Sequence, residues 1–493
     1  MVCFMDFRRV RAFADRYLVN FAVLFMAWGG MFRRSFNCDT LAHITNTRED
    51  ISIMMQHGRY LTAFQDWLLY QFGLSTVTHT GVTAMAEIGI LTFAVCIIQR
   101  CFEEKIGKPS GIYEKLAWIS ITSLLFSNVL FAESFMFGEC ALMFGMAYFL
   151  ATVGIWAFTK RRYPLALLFF FLSTTEYQAA VIYAAVVLSA WIFMENKCVI
   201  TVKTVMQEIL CGCITIGSGW LNILSLDLLA KLGLVKEAGR SADIRNIAEK
   251  AGICLRDLGQ ILLNSRGLLP KIGLPLIILC IAGAIVIRKF IRERKFLSLV
   301  YYLLLVIGMH AMMYILSMTQ YDTRTYPRFI CIFYVVQAMM LLIAFWCLSA
   351  RGKEMMCYLC CGYLLVQLLF CNVIVSNHMT SNTLDKTYAM MVYEKITEYE
   401  EETGETVKKI AVVNDIDCPF SYNNVHYKTD QINERALGTV SNTLVNVVTG
   451  RYFEKVPMDE TVYQTYFAGK NWDYFDASEQ LVIIGDTAYW AIF

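Results

Sequence analysis

The acids and bases of this 493-residue chain gather in a few short stretches. The richest is 37–60, NCDTLAHITNTREDISIMMQHGRY, with Asp39, His43, Arg48, Glu49, Asp50, His57 and Arg59. Two turns carry acid without a neighbouring base: FAESFMFGEC, with Glu133 and Glu139, and STTEYQ, with Glu176, Tyr177 and Gln178. A late stretch, QYDTRTYPRF, adds Asp322, Arg324 and Arg328. A guanidinium is a permanent positive fork that matches a phosphate. A carboxylate within reach of a hydroxyl can take its proton. Brought together at a bilayer surface, these groups suit transfer of a sugar from a lipid phosphate, with arginine stabilising charge on the leaving phosphate. Asp39, Glu133 and Glu176 are then the candidate catalytic acids, the two glutamates placed to hold sugar hydroxyls. Arg59, Arg324 and Arg328 are expected at phosphate, and His43, Tyr177, Gln178 and Asp322 elsewhere along the substrate. Plainer roles stand beside these: Asp39 as an ordinary helix N-cap, Arg59 as an interfacial arginine, and Arg324 and Arg328 as loop charges.

Such residues need elements that hold them at a membrane. The chain is 57% hydrophobic and 17% charged, against about a quarter charged in soluble domains. A helix crosses a bilayer with about 20 apolar residues. By that measure about 11 spans are expected, near 17–32, 76–99, 116–132, 138–158, 163–175, 177–194, 205–226, 272–288, 297–317, 329–348 and 355–376. The 163–175 piece is short, and the parity of the topology depends on it. The basic N-terminus, MVCFMDFRRVRAFADRY, reads as an interfacial helix on the cytoplasmic face, and 58–72 as a second interfacial helix on the other face. Lys and Arg are about twice as dense in the connections on the N-terminal side, which places the N-terminus inside; Arg33 and Arg34 run against that trend. From about residue 377 the character changes. A helical stretch through Leu384, Tyr388, Met391, Ile396 and Tyr399 precedes two apolar runs, 409–414 and 480–485, that read as buried strands. The expected architecture is a polytopic α-helical membrane domain, 1–376, with a small extracytoplasmic α/β domain, 377–493.

Other classes fit less well. A net charge of +2 and the lack of a basic-aromatic patch argue against nucleic acid. Most of the 17 cysteines lie in apolar runs, where Cys behaves as a small hydrophobe. Cys357, Cys360 and Cys361 are close in sequence but have no His or acidic neighbour, so no metal is expected there. A transporter more often places ionisable groups near the midplane, and here only Glu87 is clearly deep.

The pattern Asp39-Thr40-x-x-His43, followed by Ile51 to Leu61 with Gly58 and Arg59, resembles the bacterial glucosyltransferase family of the GtrII type. The STTEYQ turn, the multi-span layout and the arginines of the late loop are similar as well. The resemblance is clear over 30–75 and extends to about 376. It implies a GT-C-like integral membrane glycosyltransferase of the bacterial plasma membrane, moving a hexose from a polyprenyl-phosphate donor to an envelope polysaccharide on the outer face. It implies Asp39 as catalytic base. Many members carry two adjacent acids at this point, whereas Thr40 follows Asp39 here, so Glu133 or Glu176 would supply the second. No cofactor is expected, since arginines could supply the charge; a divalent ion held by Asp39 and an outer-loop acid is the alternative. A flippase for lipid-linked saccharides, or a non-catalytic assembly subunit, are the readings from other classes.

Overall fold

The structure, a computed structural model, describes residues 7–43, 47–236, 245–320, 323–414, 432, 436–470, 472 and 475–492. It is mostly helical, with one small sheet near the C-terminus. Among the described residues, seven helices are long and apolar enough to cross a membrane.

Helix α1 (Phe7–Trp28) joins the basic stretch from Phe7 and the first apolar segment into one element, and the start of the expected interfacial helix, 1–6, lies outside the described residues. Three short helices follow: α2 (Cys38–His43), α3 (Thr47–Gln56) and α4 (Tyr60–Gln71). The last is helical over most of the stretch 58–72, as expected. Then come α5 (Thr80–Ile106), α6 (Ile112–Ser123), α7 (Ala132–Met136), α8 (Ala141–Thr159), α9 (Tyr163–Thr174) and α10 (Ala180–Glu195). The segment expected as one span over 116–132 is broken after Ser123, and its outer half is a buried irregular turn capped by Asn128.

The contacts that flank the short α9 lie towards opposite ends of the bundle. Just before its start, Lys160 pairs with Glu104 and Arg161 stands 3.9 Å from Glu195, at the end that also holds the Arg16–Glu103 pair. At its finish the Thr174 carbonyl accepts from Asn222, and the Thr175 carbonyl from Leu61 N–H, at the opposite end. α9 lies tightly on α8, where Gly154 leaves room for the Phe170 ring.

Helix α11 (Val202–Lys231) begins with a Thr201–Thr204 capping box. The connection after it contains an amphipathic helix, α12 (Ile247–Asn264), where the sequence suggests only a loop. Helices α13 (Leu274–Arg292), α14 (Phe296–Met313), α15 (Ile315–Thr319), α16 (Pro327–Ile330) and α17 (Ile332–Cys347) complete the bundle before α18 (Ala350–Thr403). Apolar helices differ by position. α10 and α17 are buried nearly throughout, while α11, α13 and α14 keep many apolar side chains on the outside, as a lipid-facing helix must.

Helix α18 is 54 residues long, and the expected domain boundary at 376/377 falls inside it. Its far part buries Ala389, Val392 and Ile396 in the core of the C-terminal domain. There α19 (Ala436–Thr449), α20 (Glu460–Tyr466) and α21 (Ala477–Gln480) accompany β1 (Lys409–Asn414), β2 (Glu454–Val456), β3 (Leu481–Ile484) and β4 (Thr487–Ile492). The sheet order is β2-β1-β4-β3. β1 is parallel to both its neighbours, and β3 and β4 form a tight antiparallel pair. The two apolar runs expected as strands are β1 and β3.

Candidate functional site

Three polar clusters meet at the end of the bundle nearest the C-terminal domain. The first is built on α2. Asn37 hydrogen-bonds the Met136 carbonyl through its side-chain amide and accepts from Thr40 N–H at 2.6 Å. The Thr40 hydroxyl lies 2.5 Å from Glu139 Oε2 and 2.9 Å from Asn37 Oδ1, donating to one at a time. Phe36 and Leu41 are buried in the same core as Leu437 and Ile396. Asp39 is thus fixed between the membrane bundle on one side and the C-terminal domain on the other. It is partly exposed, and the Cys38 thiol stands 3.7 Å from its Oδ1.

The second cluster surrounds Glu176, in the turn between α9 and α10. Its side chain is fully buried. The Thr62 hydroxyl stands 2.6 Å from Oε2, and Gln65 Nε2 donates to Oε1, both from α4. Burial, helped by the charge of nearby Asp66, pushes the Glu176 carboxyl up to about 8, although Arg59 pulls the other way. Arg59, at the start of α4, holds its guanidinium 5.6 Å from the Tyr177 ring centroid. Gln178 donates to the His57 carbonyl at 3.0 Å. The turn before Arg59 needs Gly58: its φ is +70°, and a Cβ there would stand 2.9 Å from Asn222 Oδ1.

The third cluster is Glu133 with Arg328. The Arg328 N–H donates to Glu133 Oε2 at 2.6 Å, and Nη1 stands 3.2 Å from Oε1. The guanidinium also lies 4.1 Å from the Tyr326 ring centroid and 4.8 Å from that of Phe137. Tyr177 links this cluster to the second. Its ring stacks on Phe329 at 6.2 Å, and its hydroxyl is within charge range of Arg328, Arg59 and Glu133. Asp39, Arg59, Asp66 and Glu139 all lie within charge range of the Cys140 thiol, which ties the first cluster to the second.

A groove of about 490 Å³ opens beside these clusters, between α10, α11 and α15. His57, Gly58, Gln178 and Asn222 line its upper end, Ile182, Ile216 and Leu316 its apolar wall, and Glu208 its far end. Glu208 accepts from Tyr301 at 2.7 Å and from Ser189 at 3.0 Å, a second deep acid beside Glu87. Seen from the clusters, the groove is a smooth apolar trough leading away along the bundle.

Of the residues singled out in the sequence, Asp39, Arg59, Glu133, Glu176, Tyr177, Gln178 and Arg328 come together. Glu133 is completely buried on Arg328 and holds that arginine in place. Arg324 is exposed and lies at the rim of the third cluster, donating to Tyr326 at 2.6 Å. Asp322 lies outside the described residues, as does the side chain of His43, whose backbone closes α2. Thr62, Gln65 and Asp66 escaped sequence reasoning. Their spacing of three and one puts them on a single face of α4, and that polar face was the available signal.

No protein-family model, curated protein or solved structure matches the chain.

Proposed function

We propose that this is an integral membrane glycosyltransferase of the kind its GtrII-type resemblance implies, moving a hexose from a polyprenyl-phosphate donor to an envelope polysaccharide. One observation carries the reading: a partly exposed aspartate and two arginines gather at one end of an apolar bundle, beside an apolar groove that starts at the same place. The donor's phosphate sits near Arg59 and Arg328, and its isoprenoid tail lies along the groove between α10 and α11. Asp39 takes the proton of the acceptor hydroxyl. The acceptor oxygen bonds to the anomeric carbon while the carbon–oxygen bond to phosphate breaks, and the lipid phosphate leaves with the bonding pair. The arginines stabilise charge as it grows on that phosphate. Glu176, largely protonated at neutral pH, acts as a hydrogen-bonding wall and not as a second base.

In this reading the chain passes the bacterial plasma membrane eleven times, with α9 as a full pass, the N-terminus in the cytoplasm and the C-terminal domain outside. The parity is supported by the opposite-end contacts of α9, and the orientation by the distribution of Lys and Arg. The test is reconstitution in liposomes with polyprenyl-phosphate hexose and a polysaccharide acceptor, following release of the lipid phosphate. Turnover is expected, with Asp39→Asn lowering it by roughly 10²–10⁴-fold. Donor movement across the bilayer without lipid phosphate release would replace the transferase by a flippase.

A further inference from the structure

Arg33 and Arg34 are the arginines that run against the charge asymmetry of the chain, and nothing in the site above uses them. Arg34 lies with its guanidinium 4.9 Å from the Phe36 ring centroid. Lys386 of α18 stands 4.9 Å from the same centroid. The two cations are within charge range of one another. Neither has a carboxylate within 4 Å among the described residues. Two like charges held over one ring repel unless an anion lies between them. Behind them, His378 is buried with a ring nitrogen that has no hydrogen-bond partner among the described residues, and it too feels the Lys386 charge.

The pair is held by design of the backbone. Asn382 clasps Phe36 from both sides, accepting from its N–H at 2.6 Å and donating to its carbonyl at 2.8 Å. This clasp fixes the backbone at Phe36 against α18, which keeps the backbone positions of Arg34 and Lys386 near one another.

The height is right for a headgroup. Lys386 and Lys353 lie 33 residues apart on the one helix α18, and Lys353 pairs with Glu114 at the opposite end of the bundle. That length of helix is about 50 Å, against about 40–45 Å for a bilayer with its headgroups. An ordinary tilt places both lysines among headgroups. Below the cation pair α18 first exposes Ser376, Thr380 and Thr383, and farther down the surface is apolar and outward-facing. Phe25, Met26 and Phe32 of the first segment are exposed beside Leu365, Leu369 and Val373 of α18, and Asn372 joins the two by donating to the Met26 carbonyl at 2.6 Å.

We propose that Arg34 and Lys386 form a second anion site, which seats the phosphate of an outer-leaflet lipid whose acyl chains lie along α1 and α18. A lipid fits where a soluble phosphate does not, because exposed apolar side chains begin at Phe32, two residues from Arg34, and continue down the first segment through Met26 and Phe25. The inference rests on the proposed orientation, with the C-terminal domain outside the bilayer, and stands or falls separately from sugar transfer.

Native mass spectrometry of the full chain in detergent, titrated with phosphatidylglycerol and separately with diacylglycerol, tests it without any turnover. The wild type is expected to retain one more phosphatidylglycerol than Arg34→Gln/Lys386→Gln, and no more diacylglycerol. Arg34→Lys/Lys386→Arg should keep the wild-type number. If the double variant does not fold, the exposed single change Arg34→Gln must still weaken retention. An unchanged count in the glutamine variants, or equal retention of the neutral lipid, would overturn the site. Displacement of the lipid by inorganic phosphate at equal concentration would overturn its assignment to a lipid.

Discussion

Arg328 meets Glu133 twice, once through its backbone N–H at 2.6 Å and once through its guanidinium at 3.2 Å. The carboxylate is fully buried and the arginine largely so. A buried ion pair of this kind is costly to break from one side, because the remaining charge loses its partner. Glu133→Gln or Arg328→Met should each destabilise the protein by about 3–5 kcal/mol. The double variant should recover much of the loss. Thermal unfolding in detergent checks this. Additive losses in the double variant would show that the two residues act separately.

Glu176 makes stability depend on pH in a direction opposite to most carboxylates. Its pKa is raised from 4.5 to about 8 by burial. The contribution of the protonated carboxyl is therefore fully present below pH 4.5 and is lost as the pH rises through about 8. Glu176→Gln keeps the hydrogen bonds without the titration, so its unfolding midpoint should vary less across that window. A wild type and variant with parallel pH profiles would contradict the raised pKa.

The left-handed turn before Arg59 gives a separable test. Gly58→Ala forces a Cβ onto a φ of +70° and against Asn222 Oδ1. The backbone part alone costs about 1–2 kcal/mol. Asn222→Ala should relieve the contact but leave the backbone part, so Gly58→Ala/Asn222→Ala should be less destabilised than the sum of the single changes. Strict additivity would place the whole cost in the backbone.

The groove can be closed without disturbing its walls. Gly219 lines it, and a Cβ there would meet nothing within 4 Å. Gly219→Trp should fill the trough and raise the KM for a long-chain donor about tenfold, a change of about 1.4 kcal/mol. A short-chain donor analogue should be far less affected. Equal effects on long and short donors would remove the groove from donor binding.

What could be read from the sequence, and what could not, follows from the range of the interactions. The STTEYQ turn announced itself because a charge in so apolar a neighbourhood needs partners, and Glu176 has them. The strands 409–414 and 481–484 were legible as short apolar runs bounded by turn residues. β4 was not, since TAYWAI mixes small and aromatic residues and earns its place only by pairing with both β1 and β3. The contact of Leu41 with the core around Leu437 joins segments nearly 400 residues apart, and no local pattern encodes it. The arginines of the late loop looked equivalent in sequence. Pro327 starts a helical turn that carries Arg328 inward to Glu133, while Arg324 stays on the extended approach. The amphipathic α12 was hidden within a connection counted only by its charges.

The unbroken α18 gives the molecule a mechanical property. At about 1.5 Å per residue its 54 residues make a rod of about 80 Å. A rod that long is a lever: pivoting about its inner end by only about 5° moves its tip by about 7 Å. Helix tilt follows bilayer thickness. The sheet domain that rides on the tip, and the Phe36–Leu41 segment clamped beneath it, would therefore shift when the surrounding membrane thins or thickens. The geometry around Asp39 would answer to the lipid composition far from it.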